Sequence, residues 1–290
     1  MDNIVKDRPA HTSAKKKFSC FIYIAIFIIV FMYLGTVGIV LPPYRPFTQF
    51  ETINFYIFHI IFALFVCSFI KSSKTDPGSV PQNWGFYMGD ETKRKRYCKV
   101  CNVWKPERTH HCSACKRCVL NMDHHCPWIN NCIGFYNRKY FIQMLCYALS
   151  CLSIVVLQGF IYLINESFYG FEHPPDVFPY NIIDTTGLQA FCYIYTCMMI
   201  FVGITLTIAL VPFVKFHFCL VIKNSTTIER LDESNPELKV YDIGIGGNLQ
   251  QVFGVNPLCW FAPCNLPLNK PVGDGVRWPI HYYHPLADGV

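Results

Sequence analysis

The sequence predicts an all-α polytopic membrane protein: four transmembrane helices, with a cytosolic double-zinc, cysteine-rich module between the second and third. Three observations lead there. Long apolar runs divide the chain into four spans. Eleven cysteines and histidines crowd one stretch of residues 98–132. Lysine and arginine fall almost wholly on one side of the spans. Only 15% of the 290 residues are charged, against about 25% in an ordinary soluble domain. Mean hydropathy is +0.26.

The spans come in order. Residues 18–40 carry no charge and, at about 1.5 Å per residue, cross a ~30 Å hydrocarbon core. The run is too long for a signal-peptide core of about 7–15 residues and reads as an uncleaved first helix. Leu41-Pro42-Pro43 ends it. Residues 53–70 form the second span, with His59 inside it facing a neighbouring helix. Residues 140–164 form the third and 188–214 the fourth, with a bend expected at Pro212. The implied units are a tail over 1–17, spans over 18–72, the module over 73–139, spans over 140–214 and a polar C-terminal region over 215–290.

Lysine and arginine set the orientation. The first 17 residues hold five and segment 71–139 holds thirteen; loop 41–52 holds one and loop 165–187 none. Both termini and the module are therefore expected in the cytosol, whose reducing chemistry favours metal thiolates over disulfides. The net charge of +6 is split among segments flanking the spans. No ββα pattern follows the cysteines, so no nucleic-acid partner is expected.

The cysteine stretch maps onto itself at an offset of fourteen. Cys98, Cys101, His111 and Cys118 correspond to Cys112, Cys115, His125 and Cys132, each set spaced C-x2-C-x9-H-x6-C. Cys3His is a common closed ligand set for structural zinc, so two interleaved zinc ions are expected. His110, His124 and Cys126 remain over. Cys126 opens a third copy, whose next positions are Ile129 and Lys139. A spare thiol beside His124 and Asp123 has the composition of an activated nucleophile, with His124 as base and Asp123 fixing its tautomer. Only seven residues separate Cys132 from Tyr140, and Trp128 adds an interfacial aromatic. The thiol would thus meet an acyl carrier with a soluble head and an apolar tail.

A zinc-binding membrane adaptor needs Cys126 to be a ligand or inert. A RING-type ligase lacks a terminal C-x2-C pair after Cys118. A channel lacks ionisable residues in its spans beyond His59.

Asp123-His124-His125-Cys126 within this stretch resembles the DHHC family of protein S-acyltransferases, the palmitoyltransferases. Asp76-Pro77-Gly78 resembles its DPG motif, Thr226-Thr227-Ile228-Glu229 its TTxE motif, and Asn248 to Gly254 its C-terminal Asn-aromatic motif. The resemblance spans residues 18–254. It implies a two-step transfer of a palmitoyl or other long acyl group from acyl-CoA to Cys126, then to a cysteine of a membrane-associated protein substrate. The zinc ions would be structural. Lys105 and Arg108 would meet the CoA phosphates, with Trp128 and Cys151 along the acyl-CoA. Ala148, Ser150 and Cys151 are the small candidates at the chain's end. Either Thr226 or Thr227 would pack against the active site; the alternative for this stretch is a helix N-cap with Glu229 in the first turn. Asn248 would hold the C-terminal segment, or merely turn the chain after Gly246-Gly247. The expected location is the Golgi, the ER or the cell surface.

Overall fold

The computed structural model describes residues 19–40, 49–82, 84–85, 96–169, 185–232, 240–264 and 270–279. The tail over 1–17, Lys93 to Lys95 of the basic run, and Glu172, Asp176 and Asp184 of the acidic loop lie outside them.

Among the described residues, four helices are long and apolar enough to cross a membrane. They are α1 (Cys20–Gly35, continued by a π turn Thr36–Val40), α2 (Gln49–Lys74), α3 (Arg138–Tyr169) and α4 (Thr185–Ile222). Apolar side chains surround each, as burial in lipid requires. α3 packs on both α2 and α4. Gly159 and Gly203 let α3 and α4 approach closely: a Cβ there would meet Ile200 at 2.8 Å and Val156 at 2.7 Å. Small residues serve this purpose between membrane helices.

α4 departs from expectation. It continues past residue 214, with Pro212 inside it, to Ile222. The polar tail expected from residue 215 therefore begins two turns later. At 38 residues, α4 is about 57 Å long, so it exceeds the hydrocarbon core and reaches the module.

The module is three short antiparallel hairpins: β1 (Tyr97–Cys98) with β2 (Val103–Trp104), β3 (His110–Cys112) with β4 (Arg117–Val119), and β5 (His124–Cys126) with β6 (Asn131–Ile133). Their turns repeat one conformation. Asn102, Lys116 and Asn130, fourteen residues apart, all have φ of 50–53°. Asparagine tolerates this left-handed region better than most residues.

Side chains fasten the module to the end of α2. Asn131 Nδ2 donates to the Ser72 and Thr75 carbonyls at 3.1 and 2.9 Å, and Asn137 Nδ2 to Ser72 at 3.2 Å. They satisfy carbonyls that a helix end leaves without partners. Ser73 Oγ donates to the Ile129 carbonyl at 2.7 Å. After α2, Asp76 Oδ1 accepts from Gly78 N at 2.7 Å and from Arg117. Gly78 has φ 121°, and a Cβ there would press on Leu120. The DPG motif is thus a turn clamped to β4.

Two short helices follow α4: α5 (Thr227–Leu231) and α6 (Ile245–Phe253). Thr226 caps α5, its hydroxyl accepting from Glu229 N while Glu229 accepts from Thr226 N. Asn248 Nδ2 donates to the Ile222 carbonyl at 2.6 Å and to Asp242, while its Oδ1 accepts from Ile243 N. It therefore ties α6 to the end of α4 rather than merely turning the chain.

Candidate active site

The hairpins explain the metal ligands. In the β3–β4 register His111 faces Cys118, and in β5–β6 His125 faces Cys132. Each pair meets the C-x2-C turn of the preceding hairpin. Cys98, Cys101, His111 and Cys118 form one group; Cys112, Cys115, His125 and Cys132 form the other. His111 Nδ1 lies 3.6, 3.2 and 4.0 Å from the sulfurs of Cys98, Cys101 and Cys118. His125 Nδ1 lies 3.4 and 3.6 Å from those of Cys115 and Cys132. Zn–S of about 2.3 Å and Zn–N of about 2.0–2.1 Å put tetrahedral ligand atoms about 3.5 Å apart, so both groups fit zinc. Each ion would staple one hairpin to the next.

The third hairpin has no successor. Its turn keeps the fold, but Ile129, fully buried, stands where Cys101 and Cys115 stand in the others. Cys126 belongs to neither metal group. It is 6% exposed and packs with Ile129, Phe141, Met144 and Leu145 at the top of the helix interior.

Beside it, His124 Nδ1 bonds Asp123 Oδ2 at 2.6 Å, and the imidazole is near enough to the Cys126 sulfur to feel its charge. Asp123 is buried and well supplied. Thr227 N and Thr227 Oγ1 donate to it at 3.0 and 2.9 Å, and Arg138 lies at 3.7 Å. Burial would raise its pKa, but the His124 bond and the Arg138 charge outweigh burial and hold the carboxyl well below its ordinary value. Burial would likewise push His124 down; its bond to Asp123 and the neighbouring Cys126 prevail and lift it to about 9. The two threonines divide the roles left open: Thr226 caps the helix and Thr227 holds the carboxylate.

The family resemblance set Arg108 against the CoA phosphates; in the structure it is enclosed by protein. It is 3% exposed, with Nε and Nη2 on Glu229 at 2.6 and 2.9 Å and further bonds to Asn224. Tyr241 and Trp278 cover its guanidinium at 4.5 and 4.3 Å. Its charge joins the module to α5 and the C-terminal region. Lys105 is half-buried beyond β2. Trp128 is 46% exposed, edge-on to Phe21 of α1 at 5.2 Å. Cys151 is buried in α3, whereas Ser150 faces outward and bonds the Cys146 carbonyl. His59 meets Tyr33 of α1 at 3.5 Å and the Phe55 carbonyl.

Sequence reasoning missed His217 and Arg138. His217, on α4, lies 3.7 Å from Asp123 Oδ2, its ring 5.3 Å from that of His124 and enclosed by Phe141, Phe213 and Phe216. The signal was available: the apolar run continues past Lys215 to Ile222, which puts His217 on a helix.

A membrane helix bundle carrying a metal-binding module, with a Cys–His–Asp centre at their junction, is the class that fold and site define. Comparison with known proteins is more specific. The DHHC palmitoyltransferase family profile matches residues 91–234. "Probable protein S-acyltransferase 14" of Arabidopsis thaliana is 31% identical over 233 residues, covering 71% of this chain and 70% of that protein. "Palmitoyltransferase ZDHHC15" of Homo sapiens is 34% identical over 189 residues, 64% of this chain and 50% of that protein. "Palmitoyltransferase ZDHHC20" of the same species is 30% identical over 262 residues, 77% and 65%. The chain thus spans about half the length of some relatives. It belongs to the DHHC palmitoyltransferase family.

Proposed function

We propose that this chain moves a long-chain acyl group, palmitoyl first among them, from acyl-CoA to cysteines of membrane-associated proteins. The observation that carries the reading is the bonded Asp123–His124 pair beside a thiol, Cys126, that lies outside both metal groups. Cys126 gives its proton to His124 and its sulfur attacks the acyl-CoA carbonyl. The carbonyl–sulfur bond to CoA breaks, and the departing thiolate takes the proton from His124. An acceptor cysteine then repeats the sequence in reverse, giving its proton to His124 while Cys126 leaves as thiolate and recovers it. Asp123 holds the imidazole tautomer throughout and stabilises its charged form. Bound zinc would supply rigidity through the two ligand groups, and no proton passes through them.

The starts of α1 and α3 and the ends of α2 and α4 lie at the module, since Phe21 touches Trp128 and Thr227 touches Asp123. With the lysine and arginine counts, this supports a cytosolic site with both termini on the same side. Cys151 lies thirteen residues past Arg138, about 20 Å along α3, and supports an acyl chain that descends between the spans. Cys151→Trp is expected to shift preference toward shorter acyl-CoAs; an unchanged preference removes that residue from the reading.

The deciding test is incubation of the purified chain with labelled palmitoyl-CoA. A hydroxylamine-sensitive label on Cys126 is expected. No label on the wild type, or equal label on Cys126→Ala, overturns the transfer reading.

A further inference from the structure

Residues 255–264, VNPLCWFAPC, belong to the region expected to be a polar cytosolic tail, yet they carry no charge. They lie against α3. Lys139, Gln143 and Tyr147, four residues apart on one face of that helix, reach three consecutive carbonyls. Lys139 Nζ donates to Cys259 at 3.2 Å, Gln143 Nε2 to Trp260 at 2.7 Å, and the Tyr147 hydroxyl to Phe261. From α2, Cys67 Sγ approaches the Pro263 carbonyl at 3.9 Å.

The segment's own donors are also used. Leu258 N bonds Asn256 Oδ1, while Cys259 N, Trp260 N and Cys264 N bond carbonyls within the segment. Trp260 Nε1 donates to the Gly254 carbonyl at 2.9 Å. Non-helical backbone at membrane depth is tolerated only when its polar groups find partners in protein, and five of the segment's N–H groups and the carbonyls of residues 259–261 do so here. Depth follows from the donors. Tyr147 is seven residues past Tyr140, where the apolar third span begins, about 10 Å along the helix and so beyond a headgroup layer of about 5–8 Å. The outward side chains are apolar: Val255 is 54% exposed, Leu258 87% and Phe261 72%. They continue the lipid-facing surface of α3.

We propose that residues 255–264 re-enter the leaflet on the module side, with Leu258 and Phe261 among the lipid acyl chains. The partner is the bilayer itself. Trp260 turns the other way, onto the cluster that contains Cys126, so the wedge forms one wall between lipid and thiol. The claim does not depend on acyl transfer and is tested without it.

The test uses the full chain in nanodiscs of one defined phosphatidylcholine, with a benzophenone amino acid at position 258, 261 or 231. Leu231, 80% exposed at the end of α5, is the control on the module. Irradiation followed by mass spectrometry identifies each adduct. Acyl-chain adducts at 258 and 261, several-fold above those at 231, are expected. Adducts confined to headgroups, adducts to a second copy of the chain, or equal lipid labelling at all three positions overturn the proposal.

Discussion

The β3–β4 and β5–β6 hairpins are near-copies with opposite fates. One carries Thr109-His110-His111-Cys112, the other Asp123-His124-His125-Cys126. Registers match residue for residue, and the turns share φ of 53° and 50° at Lys116 and Asn130. Yet Cys112 sits in a metal group and Cys126 does not. The first histidines diverge as well. Burial, then Lys105 and Arg96, lower the pKa of His110, whereas Asp123 and Cys126 lift that of His124 to about 9 against its burial. The backbone repeat supplies position only; neighbours decide the chemistry.

Four experiments bear on that comparison, the largest effect first. Chelation, or Cys112→Ser, is expected to unfold the module, because structural zinc contributes apparent free energies of about 10–16 kcal/mol. Loss of metal measured by mass spectrometry should accompany loss of all acyl label; retained label would separate the thiol from its scaffold. Asp123→Asn makes the second hairpin more like the first. It should lower single-turnover acylation by about 10²–10⁴-fold, the usual range for a general base and its orienter, with both metals retained. Thr227→Val removes one bond to Asp123 and should cost about 1–3 kcal/mol in the same assay. His110→Gln should change the rate by no more than the ~0.5 kcal/mol typical of a neutral substitution. A larger loss would mean that the first hairpin has a catalytic part of its own.

Arg108 offers a separate check on how its charge is used. Arg108→Ala strands Glu229 in the interior and should destabilise the fold by about 3–5 kcal/mol, read by thermal unfolding. A variant of unaltered stability with weakened acyl-CoA binding would restore the phosphate assignment.

The zinc ligands were legible because spacing alone defines them: a fourteen-residue repeat needs no tertiary knowledge. The four spans were legible because lipid demands uniform apolarity. His124 and Cys126 were legible, with His110, as the remainder of the repeat, and Asp123 as their neighbour. What stayed hidden depends on contacts far apart in sequence. Arg108 looked like a surface cation until Glu229, Asn224, Tyr241 and Trp278 enclosed it. His217 was assigned to a tail because Lys215 seemed to end the fourth span, although one lysine does not stop a helix. Residues 255–264 lacked periodicity, and their backbone partners sit on another helix.

Asp123 also gathers partners from late in the chain. Its carboxylate is held by Arg138, His217 and Thr227 as well as by His124. The zinc ligands are all present once residue 132 has been made, but Thr227 follows 95 residues later. At about 5–20 residues per second, translation takes on the order of 5–20 s to cover that distance. During this interval a nascent chain carries Asp123, His124 and Cys126 without the Thr227 bonds that hold the carboxylate in the finished fold.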